Sequence, residues 1–459
     1  MACKPEDILG KAGTGAVLSL DAIGLQDGYL TSNAGNSFFQ FTNTKHTQFT
    51  KYSASVQVNN DGSTNWPFNQ ILTVNFRPKE MCDILQNMYI KCTLPSLANV
   101  QGGPPLGQYC DNVGLAMFNQ IQLNADDTIL EIIKTDWNLV YTELYYSIEE
   151  AQAYNTMVNV DPIKGGDLYI PLHFFFSRRH SSSFTANPVY HDNFYFKPGF
   201  LTCAAHKHRN LSLMLTFNPT TFFSSAPASA VSLSNFYVVT EEIVLSDAER
   251  NYLQNTVQKN IISFTRNEAV YPVRQSPVVA NMTQNVPVKI IHWFVRNKLY
   301  ENISDPTYFN NRFNFSSQNY NLPFSSSSTL TQQETNNPIL SQVVLYLNGN
   351  QVNPLAQTVT VRNRRDGSYY WKFTQPLSHG LSYPSRNIYT FSFCIKPIDP
   401  QPSGSLDFSQ MDSNSTFINA SIYSVNNAPP RTSYNMYIFY TGFNTVTYSN
   451  GLVSLDFGW

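Results

Sequence analysis

The sequence predicts an all-β fold with two consecutive domains. The chain has 459 residues, which exceeds one ordinary domain and suits two of about 200 residues each. Aromatic residues make up 14% of the chain and charged residues only 13%, against a usual charged share of about 25%. Aromatic and β-branched side chains fill the half-buried surfaces of pleated sheets. Many short strand-like segments with turns and little helix therefore indicate β-sandwiches or jelly rolls.

Short apolar segments at strand spacing recur along the chain. Leucine and phenylalanine alternate with other residues through Leu211–Phe217, which predicts a strand with one buried face. Val343–Leu347 leads into Asn348-Gly349, a dipeptide that favours a type I′ hairpin because both residues tolerate positive φ. Further strands are predicted at Phe68–Phe76, Met88–Leu94, Ile121–Leu123, Leu172–Phe176, Pro287–Val295, Asn387–Ile395 and Met436–Tyr440.

Two helices are predicted, and the second one marks a domain junction. Asp136–Met157 carries apolar residues near helical spacing, with Asp136 as its N-cap. About Ser246–Gln254, a Ser-x-x-Glu pattern from Ser246 to Glu249 predicts a capping box. This second helix falls near the middle of the chain. We therefore expect an N-terminal arm over residues 1–25, a first β-domain over 26–242, a linker helix over 243–260 and a second β-domain over 261–459.

The two halves of the sequence resemble each other faintly. Ile121–Asp126 is similar to Leu345–Asn350, and an aromatic strand follows at a comparable distance in each half, at Tyr169–Phe176 and at Tyr389–Ile395. A similar order at a similar spacing indicates a duplicated β-domain.

Charge and cysteine usage exclude several function classes. The formal net charge is −2. Direct binding of nucleic acid needs a basic face that neutralises phosphates, so the sequence does not predict it. We interpret the basic runs Arg178–His180 and Arg362–Arg365 as solvated loops. No secretory signal or long apolar run is visible, so we expect synthesis in the cytosol and reduced thiols. The six cysteines are Cys3, Cys82, Cys92, Cys110, Cys203 and Cys394.

The sequence predicts no catalytic, cofactor-binding or metal-binding residue. Gly10–Gly15 lacks the spacing of a phosphate-binding loop and reads as part of a flexible arm. Cys203, His206 and His208, with His191 nearby, look like metal ligands, but no further paired ligand set accompanies them. We interpret them as metal-free. The acidic pairs are adjacent rather than facing, so we read them as solvated: Asp126-Asp127, Glu149-Glu150 and Glu241-Glu242.

Four segments occur in an order found in one viral family: Leu25–Asn33 (LQDGYLTSN), Asp136–Leu144 (DWNLVYTEL), Ile170–Phe176 (IPLHFFF) and Gln401–Ser409 (QPSGSLDFS). The last is the most specific, and it is close to the family's pattern QPSGSLNFS. By these motifs the chain resembles the major capsid proteins of nucleocytoplasmic large DNA viruses. It departs at Tyr141, where the family has tryptophan, at His173, where it has proline, and in a longer segment at Arg178–Pro198.

The resemblance implies a double jelly roll, with two consecutive eight-stranded antiparallel jelly rolls and a few short helices. It implies a structural role without enzymatic activity: homotrimers with a pseudo-hexagonal outline in the outer icosahedral capsid of a double-stranded DNA virus, made in the host cytoplasm. The implied partners are other copies, minor capsid and penton proteins, and a membrane beneath the shell. No nucleic acid or small-molecule substrate is expected. A carbohydrate-binding, lectin-like β-sandwich is the alternative, because aromatic, Asn-rich chains do bind sugars.

Three segments carry more local expectations. We expect Arg178–Pro198 and Ser316–Pro338 to be exposed loops on the outer side of the particle, since polar insertions collect at strand ends. Within Gln401–Asp412, Gly404 is expected to need a positive φ or to meet another segment closely. Leu406 and Phe408 alternate with polar residues, which predicts a strand entering the second core.

Overall fold

The computed structural model describes residues 24–26, 47–58, 66–76, 82–99, 102–178, 180–181, 195–207, 210–273, 277–302, 306–316, 338–352, 370–399, 402–422 and 433–457. All strands belong to one compact unit of residues 48–183 and 193–459. In the other unit, residues 1–47 and 184–192, only residues 24–26 and 47 are described. Residues 1–23 of the predicted arm, which include Gly10–Gly15, lie outside the described residues, as do Arg362–Arg365 and most of Leu25–Asn33.

The first half of the chain forms two antiparallel four-stranded sheets, ordered β1–β10–β3–β6 and β2–β9–β4–β5. The strands are β1 Phe49–Gln57, β2 Ile71–Phe76, β3 Ile84–Leu94, β4 Phe118–Ala125, β5 Thr128–Lys134, β6 Gly166–Pro171, β7 His180–Ser181, β8 Tyr195–Phe196, β9 Leu211–Phe217 and β10 Ser234–Leu245. Within the described residues, β7 and β8 pair with each other and with no further strand.

The second half forms two further sheets, ordered β11–β20–β14–β17 and β13–β19–β15–β16. Its strands are β11 Gln258–Asn267, β12 Tyr271–Val273, β13 Val278–Asn281, β14 Pro287–Asn297, β15 Leu340–Leu347, β16 Asn350–Gln351, β17 Tyr389–Ser392, β18 Leu406–Asp407, β19 Phe417–Ile422, β20 Tyr434–Ser449 and β21 Leu452–Leu455. β12 and β21 extend the larger sheet along β20, and β18 pairs with β14.

Both halves share one strand order. With the short strands β7, β8, β12, β18 and β21 set aside, the described residues of each half form eight strands. In each half the first, eighth, third and sixth strands form one sheet, and the second, seventh, fourth and fifth form the other. This is the connectivity of a jelly roll. The prediction of two consecutive eight-stranded jelly rolls is therefore confirmed, and we call them the first and second jelly roll.

In the residues that the structure describes, helices are few and short: α1 Val113–Ala116, α2 Thr135–Tyr145, α3 Ile148–Val158, α4 Thr220–Phe223, α5 Asp247–Asn255 and α6 Gln375–Ser378. Short 3₁₀ segments occur at Ala228–Ala230, Lys298–Glu301, Pro306–Asn311 and Phe408–Gln410, and a π-helical turn occurs at Tyr370–Thr374. In the described part of the chain, no helix is both long and apolar enough to cross a lipid bilayer.

One helix prediction is wrong, and the other is confirmed except for its capping box. The single helix predicted at Asp136–Met157 is wrong, because the chain breaks between α2 and α3. The Ser147 side chain accepts a hydrogen bond from the Glu150 backbone and Glu150 returns one, a capping box that starts a new helix. At α5, Ser246 is the N-cap residue, but its side chain makes no capping bond. The capping box predicted there is absent. Instead, the acidic residues Asp247 and Glu249 in the first turn stabilise the helix N-terminus through the helix dipole.

The strand predicted at Leu172–Phe176 is also wrong. β6 ends at Pro171, and the chain then turns, with the Ser177 and Arg178 amides both donating to the Phe174 carbonyl. The rings of Phe174, Phe175 and Phe176 are buried. A fully apolar run has no period that distinguishes a buried turn from a buried strand.

Only the ends of the two predicted loops, Arg178–Pro198 and Ser316–Pro338, lie among the described residues. Arg178 is buried, which contradicts its interpretation as a solvated residue, and Ser316 is buried in a bridge with Pro338. Residues 182–194 and 317–337 lie outside the described residues. At Asn348-Gly349 both φ angles are positive, at 47° and 76°, and β15 pairs with β16 across this turn. The predicted hairpin with positive φ at both turn residues is confirmed.

Candidate functional site at the junction of the jelly rolls

Helix α2 lies at the contact between the two jelly rolls. It belongs to the connection from the fifth to the sixth strand of the first jelly roll, and Trp137, Tyr141 and Tyr145 recur at four-residue spacing along one side. The Trp137 ring lies 5.7 Å from the ring of His292 and 5.9 Å from that of Phe439, both in the second jelly roll. Helix α2 therefore packs on the outer face of the sheet β11–β20–β14–β17.

Strand β14 shows why this sheet is buried on both faces. Ile291, Trp293 and Val295 point into the core of the second jelly roll. His292 alternates with them and meets the Tyr145 hydroxyl at 3.2 Å and the Thr390 hydroxyl at 2.9 Å. Phe294 belongs to the core that extends from the first jelly roll. A strand covered on both faces reads as a continuous apolar run.

Arg178 and Glu131 form a buried ion pair at the junction. The guanidinium Nη2 lies 2.5 Å from Glu131 Oε1, and the side chains are 4% and 1% exposed. Arg178 Nη1 donates to the Ser263 carbonyl of the second jelly roll at 2.7 Å, and the Phe175 amide donates to Glu131 Oε2 at 2.7 Å. Burial raises the pKa of Glu131, and the nearby guanidinium opposes that rise. The pair thus fixes the segment after β6 against β11.

A second ion pair joins the jelly rolls directly. Arg296 on β14 donates from both terminal nitrogens to Asp136 at the start of α2, at 2.9 and 3.1 Å. It also donates to Glu301 at 3.1 Å, and its guanidinium lies 4.8 Å from the Tyr437 ring centroid. Such a bidentate contact fixes orientation as well as distance.

Two further arginines of the second jelly roll reach the first. Arg312, which is 1% exposed, donates to the carbonyls of Phe222 and Thr221 at 2.8 and 3.2 Å. Arg386 lies 3.2 Å from Asp111 and 3.4 Å from Glu143. Guanidinium groups are suited to this role because their planar fork of donors satisfies several acceptors at once.

The linker helix α5 is tied to the first jelly roll. Arg250 donates to both oxygens of Asp83, at 2.7 and 3.0 Å, and Asp83 also accepts from the Leu245 amide at 2.7 Å. The entry into the second jelly roll at Gln258 is thereby held close to the end of β10.

A small cavity of about 20 Å³ lies within the junction, enough for about one water molecule. Lys289 lines it and donates to the Ser263 hydroxyl at 2.7 Å and to the Pro397 carbonyl at 2.8 Å. Burial lowers the pKa of Lys289 to about 8. Burial and the nearby lysine lower the pKa of His292 to about 3, so this imidazole is neutral at physiological pH.

The candidate metal ligands that the structure describes do not form a metal site. Cys203 and His206 lie in a turn rather than on a strand, with His206 Nδ1 3.3 Å from the Cys203 carbonyl. His208 and His191 are outside the described residues. Among the side chains that the structure describes, no three His, Cys, Asp or Glu residues converge as metal ligands. The absence of catalytic, cofactor and metal residues stays a prediction.

The three acidic pairs lie in separate places and do not form a common site, and the described thiols are buried. Asp126-Asp127 form the turn between β4 and β5, Glu149-Glu150 lie in the first turn of α3, and Glu241-Glu242 occupy opposite faces of β10. Burial raises the pKa of the thiols of Cys82, Cys92, Cys110 and Cys203, the last to about 11. Thiols of this kind are protonated and weakly nucleophilic.

The sequence prediction missed the charged residues of the junction. The available signal was a charge within an apolar strand, as at Lys289 and Arg296 in β14. A buried charge in such a place needs a partner. The sequence alone does not name that partner, because Asp136 lies 160 residues away from Arg296.

Two protein-family matches cover the two halves of the chain separately. Residues 241–454 match the family described as large eukaryotic DNA virus major capsid protein, and residues 37–197 match the family described as major capsid protein N-terminus. The major capsid protein of Phaeocystis pouchetii virus is 21% identical over 95% of this chain and 100% of that relative. The comparisons give no support to a carbohydrate-binding module.

Solved structures share the fold at low identity. The VP54 protein of PBCV-1 has a TM-score of 0.66 and 17% identity, over 92% of this chain and 100% of that one. The Faustovirus major capsid protein has a TM-score of 0.65 and 10% identity, over 97% and 98%. At these identities the likeness shows the fold alone, whereas the two family matches together extend over most of the sequence. The chain belongs to the major capsid proteins of the nucleocytoplasmic large DNA viruses and has a structural role in the viral capsid.

Proposed function

We propose that three copies of the chain form a capsomer with a pseudo-hexagonal outline in an icosahedral capsid around a double-stranded DNA genome. The observation that carries this proposal is the repeated strand order, which gives each chain two sandwiches of the same connectivity. Three copies then present six similar sandwiches, which suit a lattice of sixfold neighbours. Rotational symmetry around a closed ring is the usual arrangement of such homo-oligomers.

The buried junction supports this proposal mechanically. A capsomer keeps its outline only if the two jelly rolls of each chain hold a fixed angle. The ion pairs Arg178–Glu131 and Arg296–Asp136 and the packing of Trp137 supply directional contacts for that purpose. We assign no catalytic chemistry to this role, which rests on shape, burial and symmetry.

The partners that we propose follow from assembly in a shell. They are other copies within the trimer, neighbouring capsomers, minor capsid and penton proteins, and a membrane beneath the shell. Synthesis and assembly would take place in the host cytoplasm. With a net charge of −2, the chain has no excess of cations for binding the genome directly.

Size measurement of the purified chain tests the trimer. Light scattering at micromolar concentration should return three times the 52.0 kDa of one chain, because obligate interfaces of this class bury upwards of about 2,000 Å². Negative-stain electron microscopy of the same sample should show particles with six-lobed outlines. A well-folded 52.0 kDa monomer would contradict the proposal.

A further inference from the structure

The junction within the chain joins two structural parts. One is the connection from the fifth to the sixth strand of the first jelly roll, which contains α2. The other is the outer face of the sheet formed by the first, eighth, third and sixth strands of the second jelly roll. Because both jelly rolls have the same strand order, each possesses both parts. The contact within the chain uses α2 and one sheet face, and the other sheet face and α6 remain. The end of the β16–β17 connection already belongs to the internal junction, because Ser382 bonds to the Leu144 carbonyl and Ser385 and Arg386 contact Glu143.

The remaining sheet face belongs to β1–β10–β3–β6. Across it, Tyr237 stands opposite Lys91, and Lys91 stands opposite Tyr169. The Tyr89 ring lies 6.3 Å from that of Tyr169, and Lys91 Nζ lies 5.4 Å from the Tyr169 centroid. Tyr169 is 37% exposed and the other three are half-buried. We call Tyr89, Lys91, Tyr169 and Tyr237 the tyrosine face.

The remaining connection runs from β16 to β17 in the second jelly roll, and its described part contains α6. There Leu377 is 60% exposed and Tyr383 is 49% exposed, with the Phe373 ring 6.0 Å from that of Tyr383. We call Phe373, Leu377 and Tyr383 the α6 ridge. In the corresponding connection of the first jelly roll, Trp137 and Tyr141 are each only 2% exposed. His292 and Phe439 of the second jelly roll cover Trp137, and Tyr141 packs on His173 of its own jelly roll.

Both surfaces have the composition of a protein contact. Clustered exposed apolar side chains mark interaction sites, and tyrosine is enriched in interfaces because its ring is apolar and its hydroxyl can form a hydrogen bond. Lys91 supplies a cation between aromatic rings, which suits a partner that brings a further ring such as that of Tyr383. A second copy of this chain supplies such a partner in the α6 ridge.

We infer that the tyrosine face of one copy packs against the α6 ridge of the next copy, repeating between chains the contact that α2 makes within the chain. This inference rests on the proposed trimer and names its interface. Since the two surfaces differ, the contact is head-to-tail and closes only as a ring. In a trimer, three internal and three intermolecular junctions would alternate around that ring.

Charge substitutions test each surface separately. Tyr169→Asp and Leu377→Asp each place a carboxylate in the proposed interface, and each should convert trimers to monomers, with at least a hundredfold weaker association by light scattering. Val279→Asp is the matched control. Val279 is 50% exposed in β13, on the outer face of the sheet β13–β19–β15–β16, which is outside the proposed interface. The control should remain trimeric. Far-UV circular dichroism and the melting temperature of monomeric samples show whether the variants are folded.

Cross-linking tests the pairing without disturbing it. Tyr169→Cys and Leu377→Cys are prepared singly and together and treated with a short bis-maleimide. The double variant should give covalent trimers on a denaturing gel, and a re-assembled mixture of the two single variants should give covalent dimers. Each single variant alone should give the background of the parent chain, in which the five described thiols are buried.

The outcomes separate this inference from the proposed trimer. If the wild type is trimeric while both aspartate variants remain trimeric, or while the cysteine pair fails to cross-link, the inference is overturned and the trimer stands. If the wild type is a folded monomer, the proposed trimer fails, and the inferred interface fails with it.

Discussion

Arg178 and Glu131 illustrate how single residues set the geometry of the junction. Both side chains are almost fully buried, and each also bonds to backbone, at Ser263 and Phe175. Taking two charges out of water costs several kcal/mol per ion, and close pairing with additional hydrogen bonds offsets that cost. The pair therefore contributes orientation more than net stability, and loss of one member leaves an isolated buried charge.

Arg178→Met should lower the free energy of unfolding by about 3–5 kcal/mol, because Glu131 is left without its cation. The double variant Arg178→Met with Glu131→Gln should recover part of that loss, since no carboxylate then remains to be compensated. Urea denaturation measures both. Lys51→Met on the exposed strand β1 is the control and should change stability by less than about 0.5 kcal/mol. Equal losses in the single and double variants would contradict the ion-pair account.

Lys289 should make stability depend on pH in the alkaline range. Its pKa in the folded chain is lowered to about 8 by burial, whereas an unfolded lysine titrates near about 10.4. Between these values the unfolded chain binds more protons, so this residue makes stability rise with pH across that window. Below about pH 8 the folded chain carries the full cost of the buried ammonium, near 3 kcal/mol at about 1.4 kcal/mol per pKa unit.

The comparison of wild type with Lys289→Met isolates this contribution. Melting temperatures from pH 7.5 to 10 should rise less steeply for the variant, because the titrating group is gone. Tyrosines and the other junction groups are common to both proteins and cancel in the difference. Parallel pH profiles would show that Lys289 keeps an ordinary pKa.

At the scale of elements, local capping and turn chemistry decide where helices and strands end. The capping box of Ser147 divides one apolar helical pattern into α2 and α3, so that α2 can pack across the second jelly roll. The segment around Gly404 similarly redirects the chain into β18, which pairs with β14, before Phe408 enters the second core. The predicted strand there is thus shortened to two residues followed by a 3₁₀ turn.

Gly404→Val should lower stability by about 1–3 kcal/mol, because Gly404 has a φ of +139°, a region that L side chains rarely adopt. An added Cβ would also lie 3.1 Å from the Phe393 carbonyl oxygen and 3.2 Å from Cys394 Cα. Thermal unfolding measures the loss. Ser405→Val, at the neighbouring exposed position, should have little effect. An unchanged melting temperature for Gly404→Val would show that this backbone is not strained.

On the scale of the whole molecule, the core of the first jelly roll extends into the second. The cluster that fills the first jelly roll includes Phe294, Phe439 and Tyr448 of the second. Unfolding one jelly roll alone would expose this shared surface and break the ion pairs at the junction. We therefore expect the chain to unfold as one cooperative unit rather than as two independent domains.

Calorimetry should accordingly show a single transition for the wild type. Trp137→Ala removes the aromatic contact of α2 with His292 and Phe439 and should separate the transition into two, with a loss of about 3–5 kcal/mol. Trp293→Ala is the matched control, since this tryptophan lies inside the second core. It should lower stability by a similar amount while one transition remains. Two transitions in the wild type would contradict this coupling of the two jelly rolls.

The sequence by itself determined the fold class, the duplication and the family. Strand alternation at Leu211–Phe217 and turn chemistry at Asn348-Gly349 are local properties, because period and positive φ are set by neighbouring residues. Only the tertiary structure decided which residues form the junction between the jelly rolls. The run Leu172–Phe176 is buried from several sides, and Arg178, Lys289 and Arg296 find partners far along the chain. Burial on both faces erases the periodicity that sequence reading needs, and pairing of distant charges leaves no local pattern.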